Sequence, residues 1–548
     1  MPSKPPMRPK QFEQLPPCRA NCPSGTDIRG WITTIAQRKR IGLSDEEAYA
    51  AAWRKIVAVN PFPAVMGRVC PHPCESGCNR LEKDGAVAVN QLERFIGDWA
   101  LERGLQHELL ESEPQPESIG VIGAGPAGLS FAYQMARRGY SVTVYERYPK
   151  PGGMLRYGIP VYRLPEDILD AEIRRIVDLG VKLKLDTRIG RDVTAKELQA
   201  RHQVVFLGIG AHKGLQLRVP GEAGPGVWTG TDYLSRINQG ERMHLGKRVA
   251  VIGGGDTAID AARAARRGGS EVTLLYRRTR REMPAIDSEI EEALQEGIQL
   301  EYLAAPVEIL RGDDDLLRSL VVQRMRLGDP DESGRRRPIP IEGSEYEIPV
   351  DGVVAAISQQ PDWDGLDHLQ PHKDGDWVRA DDRGQVNHQF WAGGDVLNLG
   401  IASAAIYHGR LAAESAHGRL RGQPTPDLHR PDPIETTPAK VDYYSEKARV
   451  TPRQLPVEDW LANPEAEIHQ AVTEEQFQEE VGRCLSCGQC FGCEHCWMYC
   501  AHGCFARLDE IGPGAYFSLA LEKCQACGKC IDVCPCGFLQ VQATERPA

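Results

Sequence analysis

The chain has 548 residues with a formal net charge of -11, which is enough sequence for several domains with cores of their own. The negative charge argues against nucleic acid as a partner. No apolar run is long enough to cross a membrane, and the basic start MPSKPPMRPK lacks the apolar stretch of a secretion signal. Membrane insertion is therefore not expected, and a cytoplasmic location is the default prediction.

Seventeen cysteines lie only near the two ends of the chain, from Cys18 to Cys78 and from Cys484 to Cys536. Their odd number and short spacings are typical of metal ligands rather than of a disulfide framework. The N-terminal region 1–112 predicts helices, because DIRGWITTIAQRKR and DEEAYAAAWRKIVAV carry apolar residues three and four positions apart. Loops between these helices supply Cys18, Cys22, Cys70, Cys74 and Cys78. Iron–sulfur ligation is the favoured interpretation, and a zinc site is the alternative.

The stretch IGVIGAGPAGLS follows an acidic linker and has the strand–turn–helix pattern of a dinucleotide-binding fingerprint. The glycines permit a tight turn, so that N–H groups at a helix N-terminus can approach a pyrophosphate. Glu146 ends the next strand, where its carboxylate would accept hydrogen bonds from a ribose. The loop PGGMLRYGIP then has the composition of backbone laid along a ligand. The residues predicted to bind this nucleotide are Gly123, Ala124, Gly125, Pro126, Ala127, Gly128, Glu146, Arg147, Gly153, Met154 and Leu155.

Residues 247–278 repeat the same design and predict a second nucleotide site. Tyr276 stands at the spacing that Glu146 has in the first copy, and Arg277 and Arg278 follow it directly. Guanidinium groups suit a 2′-phosphate, so NADP(H) is favoured over NAD(H), although a solvated arginine run is the alternative. The turn residues of this site are Gly253, Gly254, Gly255, Asp256, Thr257 and Ala258.

The region 421–475 is rich in proline and charge and predicts an extended linker. The region 476–548 then contains two Cys-x2-Cys-x2-Cys-x3-Cys runs, the pattern of a two-cluster bacterial ferredoxin, in which the fourth cysteine of each run binds the other cluster. One [4Fe–4S] cluster would therefore use Cys490, Cys493, Cys496 and Cys534. The other would use Cys524, Cys527, Cys530 and Cys500. The cysteines left over are Cys484, Cys487, Cys504 and Cys536.

Five segments in the right order resemble the small (beta) subunit of bacterial glutamate synthase: NPFPAVMGRVCPHPCESGCNR, GVIGAGPAGL, GGMLRYGIPVYRLP, VIGGGDTAIDAAR and YRRTRREMPA. The same architecture occurs in the N-terminal half of dihydropyrimidine dehydrogenase and in the flavoprotein subunit of bifurcating ferredoxin:NADP oxidoreductases. The resemblance covers roughly residues 15–420 and implies an α/β fold with two Rossmann-like domains preceded by an N-terminal helical iron–sulfur domain. The C-terminal ferredoxin-like domain predicted from the cysteine spacing is appended to it.

What the resemblance implies for the site is FAD in the first Rossmann-like domain (113–232 and 380–420) and NAD(P)H in the second (233–379). Gly394 and Asp395 resemble the family's contact to the FAD ribityl chain, and Arg281 aligns with a phosphate contact. No cysteine lies between Cys78 and Cys484, which excludes a redox-active cysteine pair of the thioredoxin-reductase or glutathione-reductase kind.

The sequence departs from the family at its start, because MRPKQFEQLPP lacks the additional Cys-x2-Cys that usually precedes the position of Cys18. Our hypothesis is that Cys484 and Cys487 fold back and complete a cluster with Cys18 and Cys78. The resemblance suggests Glu93 as the fourth ligand of a cluster on Cys22, Cys70 and Cys74, although a solvated helix position is the alternative. Four clusters are then expected, or three if Cys484 and Cys487 are not ligands.

Nicotinamide delivers a hydride, whereas a cluster takes one electron, and flavin can do both. The leading hypothesis is an NAD(P)H-dependent iron–sulfur flavoprotein that exchanges electrons with a larger partner, in a hetero-oligomer. The partner would be a 2-oxoacid, aldehyde, sulfite or glutamate-type oxidoreductase, and the flow could run in either direction. One alternative is a stand-alone NADPH:ferredoxin oxidoreductase, with or without bifurcation. Another is a non-enzymatic electron-transfer scaffold.

Overall fold

The structure is a computed structural model that describes residues 7–366, 369, 372–425 and 427–543. The chain divides into two compact units. The cysteine unit consists of the N-terminal residues up to His107, the segment Pro424–Arg453 and the C-terminal residues from Ala471. The nucleotide unit consists of Glu108–Gln423 and Gln454–Gln470. Both ends of the chain therefore belong to the same unit.

The first sheet of the nucleotide unit is parallel throughout. Four of its strands are largely buried, as crossover helices require, and the edge strand Lys182–Lys184 is partly exposed. Its strand order is Phe390–Ala392, Val204–Leu207, Ser118–Ile122, Ser141–Tyr145 and Lys182–Lys184. The accompanying helices are Pro126–Ala136, Met154–Tyr157, Glu166–Val177, Ala195–Arg201 and Ala402–Arg421. The first glycine-rich turn leaves the central strand of this sheet.

The second sheet repeats this arrangement, with parallel strands in the order Gln299–Tyr302, Glu271–Tyr276, Arg248–Ile252, Gly352–Ala355 and Val227–Thr229. Helices Gly230–Asn238, Asp256–Arg267 and Asp287–Gln295 accompany it. An antiparallel sheet follows, made of Ala304–Arg311, Leu317–Pro330, Arg336–Pro340 and Tyr346–Pro349. Two parallel sheets whose central strands are buried, with glycine turns at the same place, confirm the expected pair of Rossmann-like folds.

The cysteine unit has a helical core to which both ends of the chain contribute. Its helices are Pro17–Ala20, Ile28–Ala36, Asp45–Val57, Pro63–Val69, Pro73–Ser76, Leu81–Asp84, Val89–Glu102, Glu474–Val481, His495–Met498 and Lys529–Asp532. Phe477 from the C-terminal part stacks on Phe95, with ring centroids 4.1 Å apart, and meets Tyr49 edge-on at 5.4 Å. Aromatic pairs at these distances stabilise a core beyond simple burial. The C-terminal segment is thus built into the N-terminal helical core.

Two antiparallel strand pairs complete the cysteine unit. The N-terminal strand Met7–Gln11 pairs with Leu539–Ala543 near the other end of the chain. The ferredoxin-like part has the hairpin Phe505–Gly512 and Ala515–Leu519. The first pair holds the two chain ends together directly.

The region predicted as an extended linker, 421–475, differs from that expectation. It contains the helix Val457–Ala462, and Trp460 is 1% exposed and packs with Tyr162 and Ile468 in the nucleotide unit. Ile434 is buried within the cysteine unit. Apolar side chains among the prolines explain the difference, because burying them is favourable. No helix among the described residues is long and apolar enough to cross a membrane.

Candidate functional site

The first glycine turn is fixed by the carboxylate of Glu146. The N–H of Ala124 donates to Glu146 Oε2 at 2.7 Å, and the N–H of Tyr148 donates to Oε1 at 3.0 Å. Burial raises the pKa of Glu146, and these N–H groups oppose the rise. Gly123 has φ +97°, and a Cβ there would lie 2.4 Å from the Gly208 carbonyl oxygen. Only glycine fits this turn, and Glu146 ties it to the end of the neighbouring strand.

A cleft with an empty volume of about 830 Å³ lies against this turn. It is lined by most of the residues predicted to bind the first nucleotide, namely Gly123, Gly125, Pro126, Ala127, Glu146, Arg147, Gly153, Met154, Gly394 and Asp395. The predicted residues Ala124, Gly128 and Leu155 are not among the lining. All three are buried. We expect them to support the backbone beneath the cleft.

Three of the lining residues, Tyr148, His212 and Asp362, belong to no motif in the sequence. Arg147 Nη1 donates to Asp362 Oδ2 at 2.6 Å. Burial lowers the pKa of His212 to about 4, and the positive charge of Arg147 adds to this shift. Tyr148 follows Arg147 directly in the chain, whereas His212 and Asp362 come from distant segments that only the fold brings to this cleft.

Asp395 borders both this cleft and a second one in the nucleotide unit. Its Oδ1 accepts a hydrogen bond from the Gly400 N–H at 3.1 Å. Burial raises the pKa of Asp395 to about 6, and the Gly400 N–H opposes this rise. The helix Ala402–Arg421 begins just beyond, so its N-terminal end carries partial positive charge at the junction of the two clefts.

The second cleft has an empty volume of about 1630 Å³ and lies against the second glycine turn. The predicted residues that line it are Gly253, Gly254, Gly255, Asp256, Thr257, Arg277 and Arg278. Ala258 is buried beneath the turn, and Arg281 is exposed and is not among the lining residues. Arg335 belongs to no recognised motif, and it lines the cleft as well.

The arginines of this cleft differ in how they are held. Arg278 is buried. It donates one hydrogen bond from Nη2 to Asp331 Oδ2 at 2.6 Å and another from Nε to the Arg336 carbonyl at 2.7 Å. Arg277 is exposed at the cleft surface. Of the two, Arg277 therefore has the side chain better placed to meet a phosphate, and the contact itself stays a prediction.

The cysteines of the two chain ends meet within the cysteine unit. Burial raises the pKa of the Cys18 thiol well above its ordinary value, and negative charge on Cys484, Cys487 and Cys78 raises it further. Burial and the same neighbours raise the pKa of Cys487 to about 12. Cys18, Cys78, Cys484 and Cys487 are therefore close neighbours, as the fold-back hypothesis requires.

A second group surrounds Cys74. Its pKa is raised by burial first, and then by negative charge on Cys22, Glu75, Cys70 and Glu93. Asn60 Nδ2 donates to Glu93 Oε1 at 2.9 Å, and His72 Nε2 lies 3.6 Å from Oε2. Glu93 thus faces Cys22, Cys70 and Cys74 rather than solvent, and its role as a ligand stays a prediction.

The ferredoxin-like part contains the two crossed groups that the spacing predicts. Burial raises the pKa of Cys496 to about 12, with further contributions from Cys490, Cys493 and Cys534. Cys530 has Cys524, Cys500 and Cys527 as its charged neighbours. Of the spare cysteines, Cys504 donates its N–H to Cys500 Sγ at 3.3 Å, and Cys536 Sγ lies 3.9 Å from Cys534 Sγ.

These donor sets fit iron–sulfur clusters chemically. Buried thiolates without a compensating positive charge are costly, and an iron core supplies that charge. Across the described ranges, no three or more His, Cys, Asp or Glu side chains are close enough to hold a single metal ion. The ligands of a four-iron cluster bind different iron atoms, so they do not have to converge on one point.

Two family models match parts of the chain. The sequence model of the pyridine nucleotide-disulphide oxidoreductase family matches residues 117–409. The model of dihydropyrimidine dehydrogenase domain II, a 4Fe-4S cluster domain, matches residues 13–105. Together these matches imply FAD, a nicotinamide nucleotide and [4Fe–4S] clusters as cofactors.

Three relatives illustrate the range of the family. The chain is 37% identical over 465 residues to the beta subunit of NADP(+)-dependent formate dehydrogenase from Moorella thermoacetica, covering 78% of this chain and 63% of the relative. It is 40% identical over 353 residues to NADPH-Fe(3+) oxidoreductase subunit beta from Geobacter sulfurreducens, covering 63% and 51%. It is 33% identical over 431 residues to the glutamate synthase [NADPH] small chain of Azospirillum brasilense, covering 75% and 87%.

The chain spans less than two thirds of the first two relatives but most of the third. The resemblance to the glutamate synthase small subunit is confirmed by these matches. The chain therefore belongs to the pyridine nucleotide-disulphide oxidoreductase family, as an oxidoreductase that joins two Rossmann-like folds to an N-terminal domain similar to the 4Fe-4S domain II of dihydropyrimidine dehydrogenase.

Proposed function

We propose that this chain carries electrons between NAD(P)H and a larger partner subunit, with NADPH as the preferred nucleotide. The observation that supports this most is that Asp395 borders both clefts of the nucleotide unit. A nicotinamide in one cleft and a flavin in the other would meet at this residue. Hydride transfer needs such close approach of the reacting groups.

Bound FAD would supply the exchange between two-electron hydride chemistry and single electrons. The protein's own residues position the nucleotides. Glu146 fixes the glycine turn through the Ala124 N–H and presents its carboxylate at the cleft. Asp395, held by the Gly400 N–H, would accept a hydrogen bond from a ribityl hydroxyl in its ionised form.

We infer that four [4Fe–4S] clusters carry the single electrons. Their ligands would be Cys18, Cys78, Cys484 and Cys487; Cys22, Cys70, Cys74 and Glu93; Cys490, Cys493, Cys496 and Cys534; and Cys500, Cys524, Cys527 and Cys530. The mutual electrostatic contacts of these side chains support the assignment. All of the cysteines except Cys527 are partly or fully buried. Cys504 and Cys536 are left without an assigned role.

The identity of the partner subunit is also part of the proposal. Two relatives are named as beta subunits, one of a formate dehydrogenase and one of an NADPH-Fe(3+) oxidoreductase. These names support a hetero-oligomer in which this chain serves a catalytic subunit, and a 2-oxoacid, aldehyde, sulfite or glutamate-type oxidoreductase remains the predicted class. The cytoplasmic location is likewise a prediction from sequence.

Stopped-flow mixing of the anaerobic protein with NADPH, and separately with NADH, tests the proposal. We expect the flavin absorbance to bleach with both nucleotides and faster with NADPH, followed by bleaching of the cluster absorbance. Reduction of the same sample by dithionite is the control that flavin and clusters are present. Bleaching by dithionite but by neither nucleotide would contradict the proposed function.

A further inference from the structure

The strap, residues 433–450, is part of the region that the sequence predicts as a linker, yet it packs within the cysteine unit. Its first anchor is Ile434, which is buried. The N–H of Ile434 donates to the Leu15 carbonyl at 2.9 Å, and its carbonyl accepts from Asn79 Nδ2 at 3.1 Å. Asn79 Nδ2 also lies 3.5 Å from Cys487 Sγ. The strap therefore begins beside the group formed by Cys18, Cys78, Cys484 and Cys487.

The strap has further anchors on both sides of its midpoint. Lys440 Nζ donates to the Ile531 carbonyl at 2.9 Å, in the helix Lys529–Asp532 of the ferredoxin-like part. The N–H of Lys447 donates to Asp84 Oδ2 at 2.8 Å. The Arg80 guanidinium, followed by this N–H, lowers the pKa of Asp84. Both flanks of the strap are thus fixed by polar contacts.

Tyr444 lies between these anchors and contacts two cysteine turns at once. Its hydroxyl donates to the Leu485 carbonyl at 2.7 Å, and Leu485 lies between Cys484 and Cys487. Its ring centroid is 6.1 Å from that of Phe491, which lies between Cys490 and Cys493. One side chain therefore bridges the turns that belong to two different ligand groups.

The surroundings of Tyr444 agree with this position. Burial raises the pKa of its hydroxyl, and negative charge on Cys536, Cys487, Cys484 and Cys493 raises it further. The neighbouring ring, Tyr443, is 47% exposed. Its ring meets that of His495 edge-on, with centroids 5.1 Å apart. Tyr443 thus lies at the edge of the cysteine turn that contains Cys493, whereas Tyr444 bridges the two turns.

We propose that Tyr444 is a positioning residue for electron transfer between the cluster on Cys484 and Cys487 and the cluster on Cys490 and Cys493. Its ring keeps water out of the gap between the two turns, and its hydroxyl fixes the first turn. One electron leaves one cluster, which is oxidised, and enters the other, which is reduced, with no bond or proton exchanged. The inference rests on the proposed function, since it takes both groups as cluster ligands.

The physical consequence concerns the reduction potentials. Reduction adds negative charge to a cluster that already carries it, and water stabilises that charge. Excluding water therefore keeps the potential low, since solvent exposure and hydrogen bonding are among the factors that set it. Opening the gap should raise the potentials of the two clusters that meet at Tyr444 and leave the other two unchanged.

The test is a dithionite titration of the full chain with its clusters, followed by electron paramagnetic resonance, for the wild type and for Tyr444→Ala, Tyr444→Phe and Ser445→Ala. We expect Tyr444→Ala to raise the potentials of two of the four clusters. Tyr444→Phe keeps the ring but loses the bond to Leu485, so a smaller rise in one cluster is expected. Ser445→Ala, the control at an exposed neighbouring residue of the strap, should change neither.

Unchanged potentials in Tyr444→Ala at full iron content would overturn the proposal. If Tyr444→Ala loses iron, the potentials of Tyr444→Phe test the proposal instead. A raised potential in one cluster of Tyr444→Phe would support it, and wild-type potentials in all clusters would overturn it. A wild-type protein with clearly fewer than about sixteen irons per chain would contradict the four-cluster assignment instead. The titration uses no nucleotide, so failure of the proposed NADPH activity would not affect its result.

Discussion

The two units of this protein build their sites in opposite ways. In the nucleotide unit, Gly123 and Glu146 belong to one continuous strand–turn–helix–strand segment, and the contact between Ala124 and Glu146 closes it. In the cysteine unit, Cys18 and Cys487 are neighbours although nearly the whole chain separates them. The first kind of site depends on local backbone geometry, and the second depends on long-range assembly.

This difference predicts which changes will damage one unit and spare the other. A change in a glycine turn should affect its own nucleotide and leave the iron content intact. A change in a cysteine from one chain end should remove iron and leave the flavin in place.

The double substitution Cys484→Ser and Cys487→Ser should remove one whole cluster, because two of its four ligands are lost. Iron content is expected to fall from about sixteen to about twelve per chain, while bound FAD is unchanged. Iron and flavin analysis of the purified protein measures both. Cys504→Ser, which changes a spare cysteine in the same unit, should keep the full iron content.

Iron that stays at the wild-type level in the double variant would show that only three clusters form. Cys484 and Cys487 would then flank the ferredoxin-like part without binding iron.

Gly123→Ala should abolish FAD retention. The new Cβ would lie 2.4 Å from the Gly208 carbonyl oxygen, at φ +97°, and the backbone strain alone costs about 1–3 kcal/mol. We expect the FAD affinity to fall by more than about tenfold, as measured by flavin release on dialysis. Gly180→Ala is the matched control, since Gly180 has φ +93° but no atom within 4 Å of its Cβ position.

Gly180→Ala should therefore lose some stability but keep its flavin. Equal flavin loss in both variants would mean that strain, rather than the shape of the turn, controls binding.

Arg277→Ala should weaken NADPH binding selectively. A hydrogen bond to a charged phosphate contributes about 1.5–3 kcal/mol, so KM for NADPH should rise about tenfold to a hundredfold, with KM for NADH unchanged. Steady-state reduction of an artificial acceptor measures both constants. Arg281→Ala, which alters an exposed arginine that is not among the residues lining the cleft, should behave as the wild type.

If both nucleotides are affected equally by Arg277→Ala, the arginine contacts a group common to them. If Arg281→Ala has the larger effect on NADPH, the family alignment is the better guide to the phosphate contact.

The FAD affinity should also depend on pH through Asp395. Burial raises its pKa to about 6, and FAD is expected to bind the ionised carboxylate, so protonation competes with binding. The affinity should be constant above about pH 6 and fall at lower pH, by at most about tenfold per pH unit for one proton. Flavin fluorescence titrations across this range measure the slope.

Asp395→Asn should weaken binding at neutral pH and flatten the dependence. A remaining slope is expected from Glu146, whose pKa burial also raises. A slope equal to that of the wild type would show that Asp395 does not interact with the flavin.

The difference between local and long-range sites also determines which features could be predicted from the sequence. The two Rossmann-like folds and the family were predictable because each depends on residues close together in the chain, such as Gly123 to Glu146. The two ferredoxin-like groups were predictable from the spacing within each cysteine run. The group that joins Cys18 and Cys78 to Cys484 and Cys487 could be predicted only because one Cys-x2-Cys was missing at the start and another was left over near the end. The assignment of these residues as ligands stays a prediction.

Residues without a motif could not be predicted. His212 and Arg335 line their clefts because distant loops return to the glycine turns. Tyr444 lies in a region whose proline and charge content indicates only a linker. Its position depends on the packing of the strap in the cysteine unit, and no local pattern encodes that packing.

The pairing of Met7–Gln11 with Leu539–Ala543 has a consequence for biosynthesis. At about 5–20 residues per second, Cys484 leaves the ribosome on the order of 20 to 90 s after Cys18. The sheets of the nucleotide unit can form during that interval, while Cys18 and Cys78 wait without Cys484 and Cys487. A cluster shared by these four cysteines would therefore be inserted only after Cys487 has been made, and Cys18 and Cys78 would need protection from oxidation until then.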